Sequence, residues 1–334
     1  MPSSPASRPS CVLAGSESLL IQCGELLRER SWGIARVVSR DPAILDWAHR
    51  HDLPTCAPGR TLAQDLAGVG FDWFLSITNL AIIPDEVISM ARRGAINFHD
   101  GPLPRYAGLY TPAWAILNGE TEYGVTFHEM TGGIDEGRIL VQRLFPIAPD
   151  DTSLSLNTSC YAAAIEAFAE LATRIEEERL EPREQDPSQR SYFGRHDRPK
   201  AAAVLDWSQP AEAVSGLVRA LDFGARYPNP FAVAKVVHAG HVARVSAAEA
   251  IEGEPGDLPG RVIEVSDGGW VVACGEGRVR LSRFGCPRGF EWTPGEAAEK
   301  LGVHPGIVLG AGSTLDREAL DRLNAELVPA EAFW

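Results

Sequence analysis

Asn97 and His99 stand two residues apart, and Asp135 follows in a glycine-rich stretch, so a carboxamide, an imidazole and a carboxylate are available to one reaction centre. Side chains two apart on a β-strand share a face, and both reach one cavity if the strand ends at the edge of its sheet. A carboxamide N–H and an imidazolium suit the oxyanion that forms when an amine attacks a carbonyl carbon. A carboxylate between glycines can orient the imidazole and accept the amine's proton, directly or through water. Each residue also has an ordinary structural use: Asn97 as a turn cap, His99 as a strand-end histidine, Asp135 as a turn residue. His128, on the later stretch, is expected to be structural.

The elements that must position these residues alternate in type. The apolar run over residues 10–15 ends in glycine, as a first strand does, and Leu19, Leu20, Cys23, Leu26 and Leu27 recur at helical spacing within 17–30. Residues 34–39 read as a strand, 42–51 as a helix, and 71–77 as a buried parallel strand. Pro84 opens a helix expected to reach Arg93, Gly94 closes it, and residues 95–98 begin the next strand. A helix over 114–118, a strand over 124–130 and a helix over 153–179 complete the series. This alternation predicts an α/β fold with a doubly wound, mostly parallel sheet, whose ligands bind beyond the carboxyl ends of its strands.

Residues 182–206 break into a charged, proline-containing connector. After a helix over 210–221, five short strands within 231–284 predict a smaller C-terminal β-barrel-like domain with Trp270, Phe284, Phe290 and Trp292 in its core. The organisation read from the chain is a disordered tail at 1–9, a catalytic domain at 10–190, a connector at 191–209 and a β-rich domain at 210–334.

Hydrophobic residues make up 45% and charged residues 23%, the profile of a globular enzyme. No apolar run approaches the roughly 20 residues of a membrane-spanning helix, and the polar start lacks a signal core, so a cytoplasmic protein is expected. The six cysteines are scattered without a C-x-x-C pair, and neither His49 with His51 nor His238 with His241 has a partner at ligand spacing, so no metal is expected. The net charge is -14, and residues 207–334 carry 12 Arg plus Lys against 17 Asp plus Glu. Phosphate backbones need concentrated positive charge, so no nucleic-acid partner is expected.

Taken in order, Asn97-Phe98-His99, Leu103-Pro104-Arg105-Tyr106-Ala107-Gly108, Gly124-Val125-Thr126 and Asp135-Glu136-Gly137 resemble the formyltransferase family. That family includes methionyl-tRNA, sugar-nucleotide, glycinamide-ribonucleotide and synthetase-embedded members. The resemblance covers residues 10–235 well and the remainder loosely. It implies a Rossmann-like N-terminal domain, 10-formyltetrahydrofolate as formyl donor, and Asn97, His99 and Asp135 as the catalytic set. It sets the pterin against Leu80, Ile82, Ile83 and Pro84, with Met130, Gly132, Gly133 and Ile134 as the opposite wall. Asp100, Pro102, Arg105 and Tyr106 are expected on the acceptor side.

Where many relatives read His-x-Ser-Leu-Leu-Pro, this chain has His99-Asp100-Gly101-Pro102-Leu103-Pro104. That version is similar to formyltransferases of peptide natural-product assembly lines and hydroxyornithine siderophores. Asp100 adds negative charge beside His99, which favours imidazolium and suits an ammonium group, although Asp100 also serves as a plain turn residue.

The expected acceptor is an amino-acid-derived amine, free, hydroxyornithine-like or bound to a carrier protein. A nucleotide-linked amino sugar is the alternative, with Arg195, Arg198, Arg219 and Arg226 as candidates for its diphosphate. Initiator tRNA is disfavoured by the acidic C-terminal region and by the short span from Val38 to the helix at Pro42, which leaves no room for a basic loop. Formyltetrahydrofolate hydrolysis is disfavoured because the first ten residues leave no space for a regulatory domain. A non-catalytic folate-binding relative is disfavoured because all three catalytic residue types are retained.

Overall fold

The computed structural model describes residues 8–224, 229, 231–254, 256–310 and 316–333. Of the expectations above, the tail over residues 1–7 and the diphosphate candidate Arg226 lie outside the described residues.

Buried apolar runs and amphipathic helices build the first sheet. Its strands are β1 (Ser10–Gly15), β2 (Gly33–Val38), β3 (Thr55–Cys56), β4 (Trp73–Ile77), β5 (Gly94–His99), β7 (Glu122–Glu129) and β8 (Ile139–Pro146), in the order β3-β2-β1-β4-β5-β7-β8. The first five run parallel, as fully buried stretches such as Trp73–Ile77 require, and β7 and β8 are antiparallel. Two short strands, β6 (Ala107–Gly108) and β9 (Tyr192–Phe193), lie off it. The helices are α1 (Ser18–Glu29), α2 (Pro42–Arg50), α3 (Leu62–Asp65), α4 (Asp85–Ile88), α5 (Thr111–Leu117) and α6 (Ser153–Glu176). The Asp41 carboxylate caps α2 by accepting from the Ala43 and Ile44 amides, and Pro42 sits where its missing N–H costs nothing.

The helix expected from Pro84 to Arg93 stops at Ile88. The amides of Arg92 and Arg93 turn instead to the carbonyls of Phe71 and Asp72, so bonds to a distant segment replace the helical ones. β8 was not expected, because its centre, Gln142-Arg143-Leu144, lacks an alternating apolar pattern.

A second sheet is antiparallel: β10 (Lys235–His238), β11 (His241–Ile251), β12 (Val262–Ser266), β13 (Gly269–Ala273), β14 (Arg278–Gly285) and β15 (Glu291–Trp292) form a half-barrel in the order β10-β11-β14-β13-β12, with β15 on β14. The helices α7 (Ala211–Ala220), α8 (Pro294–Leu301) and α9 (Arg317–Leu327) accompany it. Trp270 and Phe284 are fully buried, with ring centroids 4.3 Å apart. Phe290 is not core: it is 71% exposed, because backbone bonds closing the turn from Cys286 to Phe290 direct it outward. Trp292 is half-buried, beneath the Lys300 ammonium.

The fold resolves into two compact units, one of Met1–Thr111, Glu122–Pro146 and Asn157–Tyr192, the other of Pro112–Thr121, Ile147–Leu156 and Phe193–Trp334. Among the described residues no helix is long and apolar enough to cross a membrane, and no group of three His, Cys, Asp or Glu is arranged to hold a metal.

Candidate active site

Strand register does the first part of the positioning. β5 and β7 set Asn97 opposite His128 and His99 opposite Thr126, so all four lie on one face of the sheet. Asn97 Nδ2 is 3.2 Å from His128 Nε2. His128 Nδ1 donates to the Glu129 carbonyl at 2.8 Å, so in the neutral ring Nε2 accepts from the Asn97 amide. His99 is fixed by the same logic. Its Nε2 lies 2.6 Å from the Tyr106 carbonyl, which can only accept, and Nδ1 is left to face the carboxylates of Asp135 at 3.6 Å and Asp100 at 3.9 Å.

Asp135 joins this face from the loop between β7 and β8. Its Oδ2 accepts from the Gly108 amide at 2.9 Å, and its Oδ1 is 3.4 Å from His128 Nε2. Burial works against its charged form, but His99, the neighbouring His128 and the Gly108 amide outweigh burial and hold the carboxyl well below the ordinary range. Asp100 goes the other way: burial pushes its carboxyl up, with the nearby Asp135 adding to the rise and His99 opposing it. One imidazole nitrogen therefore faces two carboxylates of opposite tendency.

The supporting shell was invisible in the sequence. Asp135 has φ 54°, a left-handed conformation that non-glycine residues rarely adopt, and the loop needs outside support to keep it. Gln185 supplies this, its Nε2 donating to the carbonyls of Asp135 at 2.9 Å and Gly137 at 2.7 Å, while Arg190 donates to the Ile134 carbonyl at 2.8 Å. Both lie some fifty residues downstream, at the edge of a stretch that reads as connector, and no local pattern marks them. We predict that Gln185→Ala lowers kcat by about 10-fold or more, since small displacements of reacting groups carry large rate penalties. Steady-state rates together with an unchanged circular dichroism spectrum would test this, and a wild-type kcat would remove Gln185 from the support.

The loop after His99 is held as closely. Thr126 Oγ1 donates to the Gly101 carbonyl at 2.7 Å and accepts from the Leu103 amide at 3.2 Å, and Gln142 Nε2 donates to the Leu103 carbonyl at 2.8 Å. This gives the threonine of Gly124-Val125-Thr126 a physical reason. Gly101 has one too: a Cβ there would sit 2.6 Å from the Tyr106 carbonyl oxygen and 2.7 Å from His99 Nε2, inside the bond that fixes the imidazole.

Such a centre suits transfer of an acyl group to a nucleophile, and comparison with known proteins specifies which. Residues 31–171 match the family model described as formyl transferase, and residues 199–289 match that of the formyl transferase C-terminal domain. Methionyl-tRNA formyltransferase from Stutzerimonas stutzeri (strain A1501) is 32% identical over 272 residues, spanning 79% of this chain and 82% of that protein. The chain belongs to the formyltransferase family. A second methionyl-tRNA formyltransferase, from Synechococcus sp. (strain JA-3-3Ab), is 34% identical over 251 residues, 72% of this chain and 75% of that one. Among solved structures, the sugar 3N-formyl transferase WlaRD, determined with dTDP and 5-N-formyl-THF, shares the fold with a TM-score of 0.65 at 20% identity, covering 83% of this chain and 98% of that one. The N-formyltransferase of Helicobacter canadensis, determined with folinic acid and dTDP-3-aminofucose, aligns with a TM-score of 0.64 at 18% identity, covering 85% and 100%.

The remaining residues expected at this formyltransferase site divide by exposure. Leu80 and Ile82 are 83% and 90% exposed, on a loop that Asn79 shapes by bonding both the amide and the carbonyl of Ala81. Ile83 is turned into the core at 6% exposure, so its side chain is removed from the expected pterin contacts, and Met130 packs against the same core. Pro84 is half-buried, Gly132 is exposed, Gly133 is partly so, and Ile134 is 54% exposed. On the acceptor side, Asp100 and Pro102 are half-buried, and Arg105 is exposed with its guanidinium over the Tyr106 ring. Tyr106 corrects its expected role: its ring is 2% exposed and packed on Tyr123, so the site receives its carbonyl and not its side chain. Of the diphosphate candidates, Arg219 already donates to the Asp151 carbonyl at 2.7 Å and Arg198 to the Arg195 carbonyl at 2.9 Å.

Proposed function

We propose that this formyltransferase moves a formyl group from 10-formyltetrahydrofolate to the amine of an amino-acid-derived acceptor, free or bound to a carrier protein. The observation that carries the chemistry is the convergence of Asn97 Nδ2, His99 Nδ1 and the Asp135 carboxylate on one sheet face. The exposed aliphatic side chains of Leu80, Ile82 and Ile134 suit the cover of a pterin ring, for which bare apolar surface is a sensible partner. Asn97, oriented by His128, and His99, oriented by Tyr106, donate to the oxygen of the formyl group as it gains charge. Asp135 holds the His99 ring and its protonated form in place.

Two further acceptors have observations in their favour. The two relatives at 32–34% identity are named methionyl-tRNA formyltransferases, although a net charge of -14 runs against nucleic-acid binding. One fold neighbour is a sugar 3N-formyl transferase and another was determined with dTDP-3-aminofucose, and a nucleotide-linked amino sugar is a small amine as well. The deciding experiment follows release of tetrahydrofolate from 10-formyltetrahydrofolate against free amino acids, hydroxyornithine, carrier-bound aminoacyl groups, dTDP- and UDP-amino sugars, and methionyl-tRNA. Turnover confined to the amino-acid class supports the proposal; turnover confined to tRNA or sugars replaces it. With the accepted amine, Asn97→Ala is expected to lower kcat by about 100-fold while retaining donor affinity, as removal of one oxyanion donor does.

A further inference from the structure

We propose that Asp100 takes the proton from an ammonium group on the acceptor, so that Asp135 is left to hold His99 and the acceptor is a basic aliphatic amine. The inference deepens the formyl-transfer reading and rests on it. Asp100 follows His99 at the end of β5, and its Oδ1 lies 3.9 Å from His99 Nδ1; Asp135 approaches the same nitrogen at 3.6 Å from a different loop.

The two carboxylates differ in what they leave for a ligand. Asp135 is 10% exposed at its side chain, with Oδ2 on the Gly108 amide and Oδ1 toward His128. Asp100 receives a long hydroxyl bond from Thr111 Oγ1 at 3.3 Å, and 35% of its side chain is accessible. Of the two carboxylates, Asp100 is therefore the more accessible to a cation.

The titratable groups facing Asp100 are His99 at the end of β5, Asp135 on the loop after β7, and the buried Tyr123 on β7. Burial first, and then Asp135, raise the Asp100 carboxyl, whereas Asp135 is held low by its partners. When neighbouring carboxyls are pushed apart in this way, the higher one is the natural proton acceptor.

The proton balance closes. R–NH3+ and the Asp100 carboxylate become R–NH2 and a carboxylic acid. The amine lone pair forms the new C–N bond to the formyl carbon. On collapse, the bond from that carbon to the folate nitrogen breaks, and this nitrogen takes the second amine proton. The proton on Asp100 then leaves to solvent. An amine that arrives neutral, such as a hydroxylamine, gains nothing from Asp100.

Asp100→Asn keeps the shape and the Thr111 contact, and pH separates the outcomes. With an alkylamine acceptor, kcat/KM is expected to fall by about 100-fold near neutral pH, within the usual range for general acid–base groups. The loss should shrink steadily as the pH rises through roughly 10.4, where an alkylamine with a pKa near that of lysine becomes half neutral. Affinity for 5-formyltetrahydrofolate should not change. A pH-independent loss, or none, overturns the proposal. A second readout needs no turnover: carboxyl 13C NMR of Asp100, assigned with the variant and titrated with propylammonium. Asp100 should titrate above the ordinary carboxylate range and respond to the amine. That response in a protein that formylates no amine would sink the formyl-transfer reading and leave the ammonium site standing. No response from Asp100 would remove the ammonium site even in an active enzyme.

Discussion

Asp135→Asn is expected to lower kcat by about 100- to 1000-fold, with a smaller loss of stability at neutral pH where the charged carboxylate contributes. The asymmetry follows from the contacts. Asparagine is nearly isosteric, and its carbonyl can still accept from the Gly108 amide that Asp135 Oδ2 engages at 2.9 Å. Its amide end then faces His128 Nε2, the acceptor that the Asn97 amide already engages, so the new side chain keeps one of its two polar partners. What disappears is the negative charge 3.6 Å from His99 Nδ1, the nitrogen that in the proposed reaction faces the formyl oxygen. The variant should also differ in acid. Because the Asp135 carboxyl is held below its ordinary value, its stabilisation is fully present above the unfolded-state pKa and is lost only as the pH falls through the lower folded value. Urea unfolding from neutral pH into acid should show a flatter pH dependence in Asp135→Asn than in the wild type. A kcat within threefold of wild type would remove Asp135 from the reaction.

The shared face of Asn97 and His99 was legible because two-residue spacing on a strand is a local rule. What the local rule omits is the partner strand. Asn97 is oriented by His128 because β7 pairs with β5 in one particular register, and register between strands thirty residues apart is a tertiary outcome. His128, expected to be structural, thus stands between Asn97 and Asp135. Gln185 and Arg190 escaped notice for the same reason, since their partners are backbone carbonyls that no side-chain pattern announces. The apolar run from Leu80 to Pro84 shows the limit from the other side. Leu80 and Ile82 are open to solvent while Ile83 is buried, and three aliphatic residues in a loop lack the periodicity that would have told them apart. The shortened helix α4 follows suit, because the amides of Arg92 and Arg93 found distant carbonyls.

Gly137→Ala should be the most damaging change that touches no reacting group. Gly137 lies at the neck of the hairpin between β7 and β8, where the Glu129 amide donates to the Arg138 carbonyl at 3.0 Å and Arg138 forks onto the Glu129 carboxylate at 2.6 and 2.8 Å. A Cβ on Gly137 would overlap the Glu129 carbonyl oxygen, which is backbone within a paired strand and cannot swing aside. The neck must open, and the cost expected for such overpacking is about 1–3 kcal/mol. The damage travels two residues to Asp135, whose carbonyl shares the Gln185 amide with that of Gly137. A shift of about 1 Å there would cost about 100-fold in kcat. The glycine of Asp135-Glu136-Gly137 is thus explained by close approach, since its φ is not left-handed. Chemical denaturation and steady-state kinetics on the same preparation test the pair of effects. Lower stability with normal kcat would mean that the neck and the Asp135 carboxylate move independently. Wild-type values for both would mean that the strands are not so close at this point.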